Sequence, residues 1–355
     1  MNLAAIARNP LVRVVLLVGV AGGLFALVWW RGPAWGDVKD AFTLVRWEWV
    51  LIAIGLNLLS VLVRALAWAT VIDQAMPKPH PRFLLVFSAF AVGLFANAVV
   101  PGRVGELARV AVLTRKMPER PGAWATLLGT VFAHRVFDLV ASMLLVLYVV
   151  ITAKIPHWAV TSLELIFVLG VVLLTVAVLS ARRHQRSVLD GLGAVRKVIR
   201  LARHGLGVMR EPVPAVVALL FQLGGWTCQL FAVYTAMRAF HIHAPLPAAG
   251  VVLVLMNVAT IFPLWPGNVG LVQAAIALPL VGYGVAKAKG IAYGFGLQAI
   301  EASVGVGVGL LFLAREGLSF AMLRVMPDVA QADLPVEAEE EPERDAAPPR
   351  ARVPG

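Results

Sequence analysis

The sequence predicts an all-α, polytopic helical membrane protein, and three observations support this. Of its 355 residues, 60% are hydrophobic and 14% are charged, whereas soluble domains carry about 25% charged residues. The mean hydropathy is +0.83, and apolar runs long enough to cross a bilayer as helices recur along the chain. Two apolar segments also contain a helix-breaking Pro-Gly pair, at Pro101-Gly102 and at Pro266-Gly267.

Composition excludes several classes of function. The single cysteine, Cys228, excludes a disulfide framework and a cysteine-based metal site. The net charge of +11 is assigned to cytoplasmic loops of a membrane protein. We expect no nucleic-acid partner, because no basic face carries interleaved aromatic residues. A Gly-x-x-x-x-Gly-Lys-Ser/Thr run does not occur, so the sequence predicts no ATP site, and we expect no cofactor.

The apolar runs predict about six full spans. They cover approximately Leu11–Trp30, Trp47–Val71, Ala123–Ile151, Val160–Ser180, Val213–Phe240 and Gly290–Leu313. Within the second span, Arg64 is expected to reach the nearby interface with its long side chain. In the last span, Gly305 and Gly309 form a pair of small residues suited to close contact between helices.

The chain divides into a transmembrane domain at residues 1–324 and a tail at residues 325–355. The tail is rich in Pro, Glu and Ala, so it is predicted to be a disordered cytoplasmic segment. Residues 182–210 are strongly basic and are therefore placed in the cytoplasm. Their apolar spacing favours an amphipathic helix on anionic lipids of the inner leaflet, and a solvated basic loop is the alternative.

The two breaks share the pattern Pro-Gly-x-Val-Gly, at residues 101–105 and 266–270. Counting charges along the loops places both termini in the cytoplasm of a bacterial inner membrane. Phe83–Thr114 then forms a hairpin from the inside and Leu246–Val281 a hairpin from the outside, each either re-entrant or fully spanning. Opposed broken hairpins related as an inverted repeat are typical of transporters. The alternative is a chance match of five common residues.

Charges inside the apolar sequence mark a candidate site, because placing them in a membrane is costly. The planar guanidinium of Arg103 can donate two hydrogen bonds to phosphate oxygens. Glu106 either holds Arg103 in place or binds an amine group of a lipid. Glu301, the one acid of the last span, is expected to pair with Arg135 or Arg103. The alternative is an i,i+3 ladder that only stabilises the first hairpin. The predicted substrate-binding set contains no catalytic residue and no metal ligand; it comprises Asn97, Pro101, Gly102, Arg103, Gly105, Glu106, Arg109, His134, Arg135, Asp138, Pro266, Gly267, Asn268, Gly270 and Glu301.

These motifs resemble those of a known family. Asn97-x-x-x-Pro-Gly-Arg-x-Gly-Glu-x-x-Arg109, His134-Arg135-x-x-Asp138 and the later Pro-x-x-Pro-Gly-x-x-Gly270 are similar to the transmembrane, flippase-like region of lysylphosphatidylglycerol synthases. The resemblance covers about Trp47 to Leu313. It departs at His134 and at Gln273, where many members have Glu. No aminoacyl-transferase domain follows, so the resemblance implies a standalone member that translocates a lipid without synthesising it.

The function expected from these observations is a flippase for a phospholipid-like or lipid-linked anionic molecule. A second class is a membrane enzyme that modifies a lipid, such as a glycosyltransferase, although the chain has no Asp-x-Asp motif. A third class is a non-transporting scaffold of a lipid- or hopanoid-synthesis complex. A lipid-synthesis enzyme is accordingly a candidate partner.

Overall fold

The computed structural model describes residues 35–76, 78–99, 104–117, 123–153, 167–175, 211–261 and 266–315. These residues form helices and turns, and no strand occurs among them. We number the helices α1 (Trp35–Thr43), α2 (Trp47–Ala75), α3 (Phe83–Val99), α4 (Gly105–Lys116), α5 (Ala123–Thr152), α6 (Pro212–Ala239), α7 (Leu246–Ala259), α8 (Leu271–Val281) and α9 (Lys287–Arg315). A 3₁₀ turn covers Pro266–Asn268, and residues 167–175 are also helical.

The prediction of a polytopic helical membrane protein is confirmed. Four helices are long and apolar enough to cross a bilayer, at Trp47–Ala75, Thr126–Thr152, Pro212–Ala239 and Lys287–Arg315. The predicted first span, most of the predicted Val160–Ser180 span, the basic segment 182–210 and the tail lie outside the described residues. The two shorter helix pairs, α3 with α4 and α7 with α8, occupy the positions predicted for the hairpins.

The two helices of the first hairpin pack with their backbones in close contact. A methyl group added to Gly93 on α3 would lie 2.8 Å from the carbonyl oxygen of Gly105 on α4. The side chain of Asn97 accepts a hydrogen bond from the Gly105 N–H at 2.8 Å. A helix start leaves backbone N–H groups without partners, so Asn97 satisfies one of them inside the protein. This explains why Asn, Gly and the break occur together at this spacing.

The second break is held in the same manner by amide side chains. Gly267 and Asn268 have positive φ angles of 69° and 45°, which glycine and asparagine tolerate better than other residues. Asn268 donates to the carbonyl oxygen of Ala259 at 2.8 Å, and the Gly270 N–H donates to Gln273 at 2.6 Å. Gln298 on α9 donates to the carbonyl oxygen of Gly267. Backbone groups freed by a break inside a membrane need such internal partners.

Helix α9 packs between the two hairpins, because it contacts α3 of the first and α8 of the second. A methyl group added to Gly309 would lie 2.9 Å from the carbonyl oxygen of Ala91 on α3, so this glycine makes the predicted close contact. Gly305, by contrast, has open space around its Cβ position. The prediction that Gly305 and Gly309 share one contact with a neighbouring helix is therefore wrong, since Gly305 faces a cavity.

Candidate functional site

A cavity of about 200 Å³ lies between the helices α2, α3, α4, α5, α6 and α9. Apolar helices surround it, yet its wall is rich in charged and amide side chains. The polar residues of the wall are Asn57, Ser60, Arg64, Asn97, Glu106, Arg109, His134, Arg135, Asp138, Gln229 and Glu301. A concave site with convergent polar groups inside a helical bundle is the usual form of a ligand site.

Asp138 is the centre of the polar contacts. Its carboxylate accepts hydrogen bonds from Trp226 at 2.9 Å and from Gln222, both on α6. Arg135 donates to it at 3.2 Å along α5, and an Arg64 nitrogen lies 3.7 Å away from α2. Three helices therefore meet at one carboxylate, which agrees with the rule that a buried charge is paired and hydrogen-bonded.

Arg64 lies inside this network, and the prediction that it extends to the membrane interface is wrong. Its side chain is 18% exposed, donates to Gln229 at 2.8 Å and lies 4.5 Å from the ring centre of Trp226. A carboxylate, an amide and an aromatic face together offset the cost of withdrawing the guanidinium from water. These partners explain why the side chain turns inward.

Glu106 joins the first hairpin to α5. It pairs with Arg109 one turn along α4 and with Arg135 across on α5. The i,i+3 ladder considered as an alternative is thus present for Glu106 and Arg109, but the same carboxylate also holds a residue of another helix. Because Glu106 binds one arginine on its own helix and one on α5, it links two helices in addition to stabilising α4.

The two arginines bound by Glu106 have different surroundings. Arg109 is 4% exposed and lies against the faces of Trp68 at 4.7 Å and Phe90 at 5.6 Å. The Arg135 side chain is 51% exposed, although it also lines the cavity. A guanidinium has five donors, so Arg135 can keep both carboxylates and still donate to a ligand.

His134 lies beside Arg135 on the cavity wall and is 3% exposed. Its ring meets Phe90 edge-on at 5.9 Å. Among the described residues its Nδ1 atom is buried and has no hydrogen-bond partner. Buried polar atoms are usually hydrogen-bonded, so this nitrogen is an exception within the cavity wall.

For Glu301, one of the two predicted partners is wrong, and the other, Arg103, lies outside the described residues. Glu301 lies in the cavity wall on α9 and accepts a hydrogen bond from Gln229 at 3.4 Å. Arg135, one of the two expected partners, pairs with Glu106 and Asp138 instead. Within the described part of the chain, Glu301 has no ion pair.

The remaining predicted residues separate into three groups. Asn97 and Gly105 line the cavity with the charged residues. Pro101, Gly102 and Arg103 lie outside the described residues. The wall does not include Gly267, Asn268 or Gly270, and Pro266 belongs to the same turn. The second break therefore contacts α9 through Gln298, on the same helix as the wall residue Glu301. No group of metal-binding side chains occurs among the described residues.

Sequence reasoning missed the contribution of α2 and α6. Asn57, Ser60 and Arg64 are spaced three and four residues apart on α2 and all line the cavity. Gln222 and Gln229, seven apart on α6, contact Asp138 and Arg64. Polar residues at helical spacing within an apolar helix indicate one interior face. These polar stripes on α2 and α6 were the sequence signal that could have identified both helices as part of the cavity wall.

The comparisons with known proteins concern this same region. The family model described as "Lysylphosphatidylglycerol synthase TM region" matches residues 14–309. The chain belongs to this family. The match spans the cavity, both breaks, three of the long apolar helices and most of α9, so the resemblance drawn from the motifs is confirmed. A member of the lysylphosphatidylglycerol synthase TM family is a multi-pass membrane protein. Searches among curated proteins and among solved structures gave no match.

Proposed function

We propose that this protein is a flippase that moves a phospholipid-like or lipid-linked anionic molecule between the leaflets of a bacterial inner membrane. The observation that carries the proposal is Arg135, a half-exposed guanidinium in the wall of a cavity between membrane-spanning helices. Membership of the family adds support, since the family is lipid-related.

The chemistry of the wall suits a lipid head group. A phosphate that leaves water needs donors to replace its hydration, and a planar guanidinium presents them in the required fork geometry. Arg135 is oriented from both sides by Glu106 and Asp138, so its free N–H groups are held in place before a ligand arrives. Preorganised donors bind more tightly, because less side-chain freedom is lost.

Transport without a chemical step accounts for the cavity better than catalysis does. The Ser60 hydroxyl, a potential nucleophile of the wall, donates to the carbonyl oxygen of Gly225 at 2.8 Å. The acids Glu106 and Asp138 are paired with arginines. The hydroxyl is engaged in a hydrogen bond and the two carboxylates are engaged in ion pairs, an arrangement that favours binding of a charged ligand over nucleophilic attack. We therefore propose a transporter that is not an enzyme.

The topology and the partners follow from the sequence. We propose that both termini are cytoplasmic and that residues 182–210 contact anionic lipids of the inner leaflet, because basic loops are retained on that side. A lipid-synthesis enzyme is a proposed partner that would supply the substrate. Cysteine-accessibility labelling of residues 182–210 in intact cells tests the orientation, since cytoplasmic positions react only after permeabilisation.

The test of the proposed function is mass spectrometry of the lipids that remain with the full chain in native-lipid discs. The variants are Arg135→Gln in the cavity and Arg82→Gln, an exposed arginine that does not line it. We expect one lipid class to be enriched in wild type and in the Arg82 variant and to be lost in the Arg135 variant. Bulk lipid composition in all three would contradict the proposal and favour a scaffold. A donor-dependent change in lipid mass would favour an enzyme.

A further inference from the structure

Among the described residues, the charges of the cavity wall balance before any ligand is present. The described wall contains the three arginines Arg64, Arg109 and Arg135 and the three carboxylates Glu106, Asp138 and Glu301. If the ligand of the proposed function carries one negative charge, the occupied cavity has an excess of one negative charge. An unbalanced charge in the middle of a membrane is costly to hold and to move.

The three carboxylates are not equivalent. Glu106 contacts Arg109 and Arg135, and Asp138 contacts Arg64 and Arg135. Each arginine of the described wall is therefore committed to Glu106, to Asp138 or to both. Within the described part of the chain, Glu301 accepts one hydrogen bond, at 3.4 Å from the neutral amide of Gln229.

The position of Glu301 adds to this asymmetry. It is the middle residue of the 29-residue helix α9, about 21 Å of helix from either end. Gln229 connects it to Arg64, because the amide oxygen of Gln229 accepts from Arg64 at 2.8 Å while its nitrogen donates to Glu301. One amide therefore separates Glu301 from Arg64, which shares the carboxylate of Asp138 with the ligand-binding Arg135.

The other helices that pack against α9 bring no further charge to the cavity. Helices α3 and α8 contain no charged residue. The charged residues Asp37, Lys39 and Asp40 of α1 and Arg238 of α6 do not line the cavity. On α9 itself, the Tyr293 hydroxyl donates to the carbonyl oxygen of Val233 at 3.0 Å. Apart from Arg64, the charged and titratable groups that share the cavity with Glu301 are Glu106, Arg109, His134, Arg135 and Asp138.

We infer that Glu301 is a proton-binding site that couples transport to a pH gradient. The inference rests on the proposed function. The carboxylate takes up one proton from water on the acidic side and becomes a neutral carboxylic acid, and the occupied cavity is then uncharged. On the alkaline side the proton returns to water as the lipid leaves. The anionic lipid therefore accumulates in the leaflet that faces the alkaline compartment.

The test uses the full chain in vesicles of phosphatidylethanolamine and phosphatidylglycerol with a trace of fluorescent NBD-phosphatidylglycerol. A pH gradient is imposed while valinomycin and equal potassium hold the membrane potential at zero, and dithionite reports the probe in the outer leaflet. For wild type, a gradient of about one pH unit is expected to hold up to about a tenfold difference between leaflets if one proton moves with each lipid. Glu301→Gln is expected to lose this asymmetry and to leave the probe evenly distributed between the leaflets at every gradient.

Two further variants control this experiment. Glu48→Gln alters an exposed carboxylate outside the cavity and is expected to respond to the gradient as wild type does. Glu301→Asp keeps a carboxylate and is expected to keep the response, so a loss of the response in this variant would count against a proton site at this position. Infrared difference spectra between acidic and alkaline buffer should show a protonated-carboxyl band in wild type that Glu301→Gln lacks.

The outcomes separate the two proposals. If wild type moves the probe but its distribution does not depend on the pH gradient, proton coupling is overturned and the flippase function stands. The same conclusion follows if Glu301→Gln still responds to the gradient. A wild-type protein that moves no probe at all would overturn the proposed function, and the coupling with it. A sodium gradient that replaces the pH gradient as the driving force would also refute a proton site.

Discussion

The pairing of Arg64 with Asp138 can be measured with a double-mutant cycle. Arg64→Gln and Asp138→Asn each remove one charge. The second change keeps the shape of the side chain, and its amide oxygen still offers an acceptor to Trp226 and Gln222. Each single variant leaves the other charge partly unpaired inside the protein. The double variant removes both charges, so it is expected to be less destabilised than the sum of the two.

The size of the coupling follows from the geometry. At the observed 3.7 Å and an effective dielectric constant of about 20, the Coulomb attraction is about 4.5 kcal/mol. Asp138 also has Arg135 at 3.2 Å, which retains part of the attraction when Arg64 is changed. Coupling free energies measured between contacting residues are about 0.5–3 kcal/mol. We therefore expect a coupling of about 1–3 kcal/mol for this pair.

The assay is reversible unfolding by SDS in mixed micelles, followed by circular dichroism for the wild type and three variants. The exposed pair Arg46 and Glu48 supplies a matched cycle that is expected to show a smaller coupling, because water screens it. A coupling below about 0.5 kcal/mol between Arg64 and Asp138 would refute the reasoning. It would mean that Arg64 leaves the cavity in a membrane, as the sequence suggested.

Two further predictions concern the packing of the hairpin and use the same unfolding assay. Asn97→Ala removes the acceptor of the Gly105 N–H and is expected to cost about 1 kcal/mol; an unchanged stability would show that water replaces the amide there. Gly309→Ala places a methyl group 2.9 Å from the Ala91 carbonyl oxygen and is expected to cost about 1–3 kcal/mol. Gly305→Ala has open space and should be neutral, so equal effects of the two alanines would contradict the described contact.

The elements that the sequence predicted well are those where the chain breaks its own pattern. A Pro-Gly pair or a charge inside an apolar run is costly in a membrane, so each marks a place where other residues must compensate. The cavity accordingly contains Glu106, Arg109 and Asp138, all of which the sequence marked. The local spacing also indicated the i,i+3 contact between Glu106 and Arg109.

The partners across helices were not predictable in the same way. Helix α2 is apolar around most of its circumference, and although its polar stripe indicates which side faces the interior, the stripe does not identify the partners on other helices. Arg64 was therefore assigned to the interface, although its partner Gln229 lies 165 positions away in the chain and Asp138 lies on a third helix. The pairing predicted between Glu301 and Arg135 failed for the same reason, since choosing between several arginines requires the packing of α9 against the other helices.

The contact between Gly93 and Gly105 also has a mechanical meaning. Two helices whose backbones meet without intervening side chains, and whose break is tied by Asn97, have no compressible layer between them. We therefore expect the two helices to move together when the cavity opens. The run of α9 around Gly305 and Gly307, where the glycines have no close neighbours, is the part of the wall that we expect to bend.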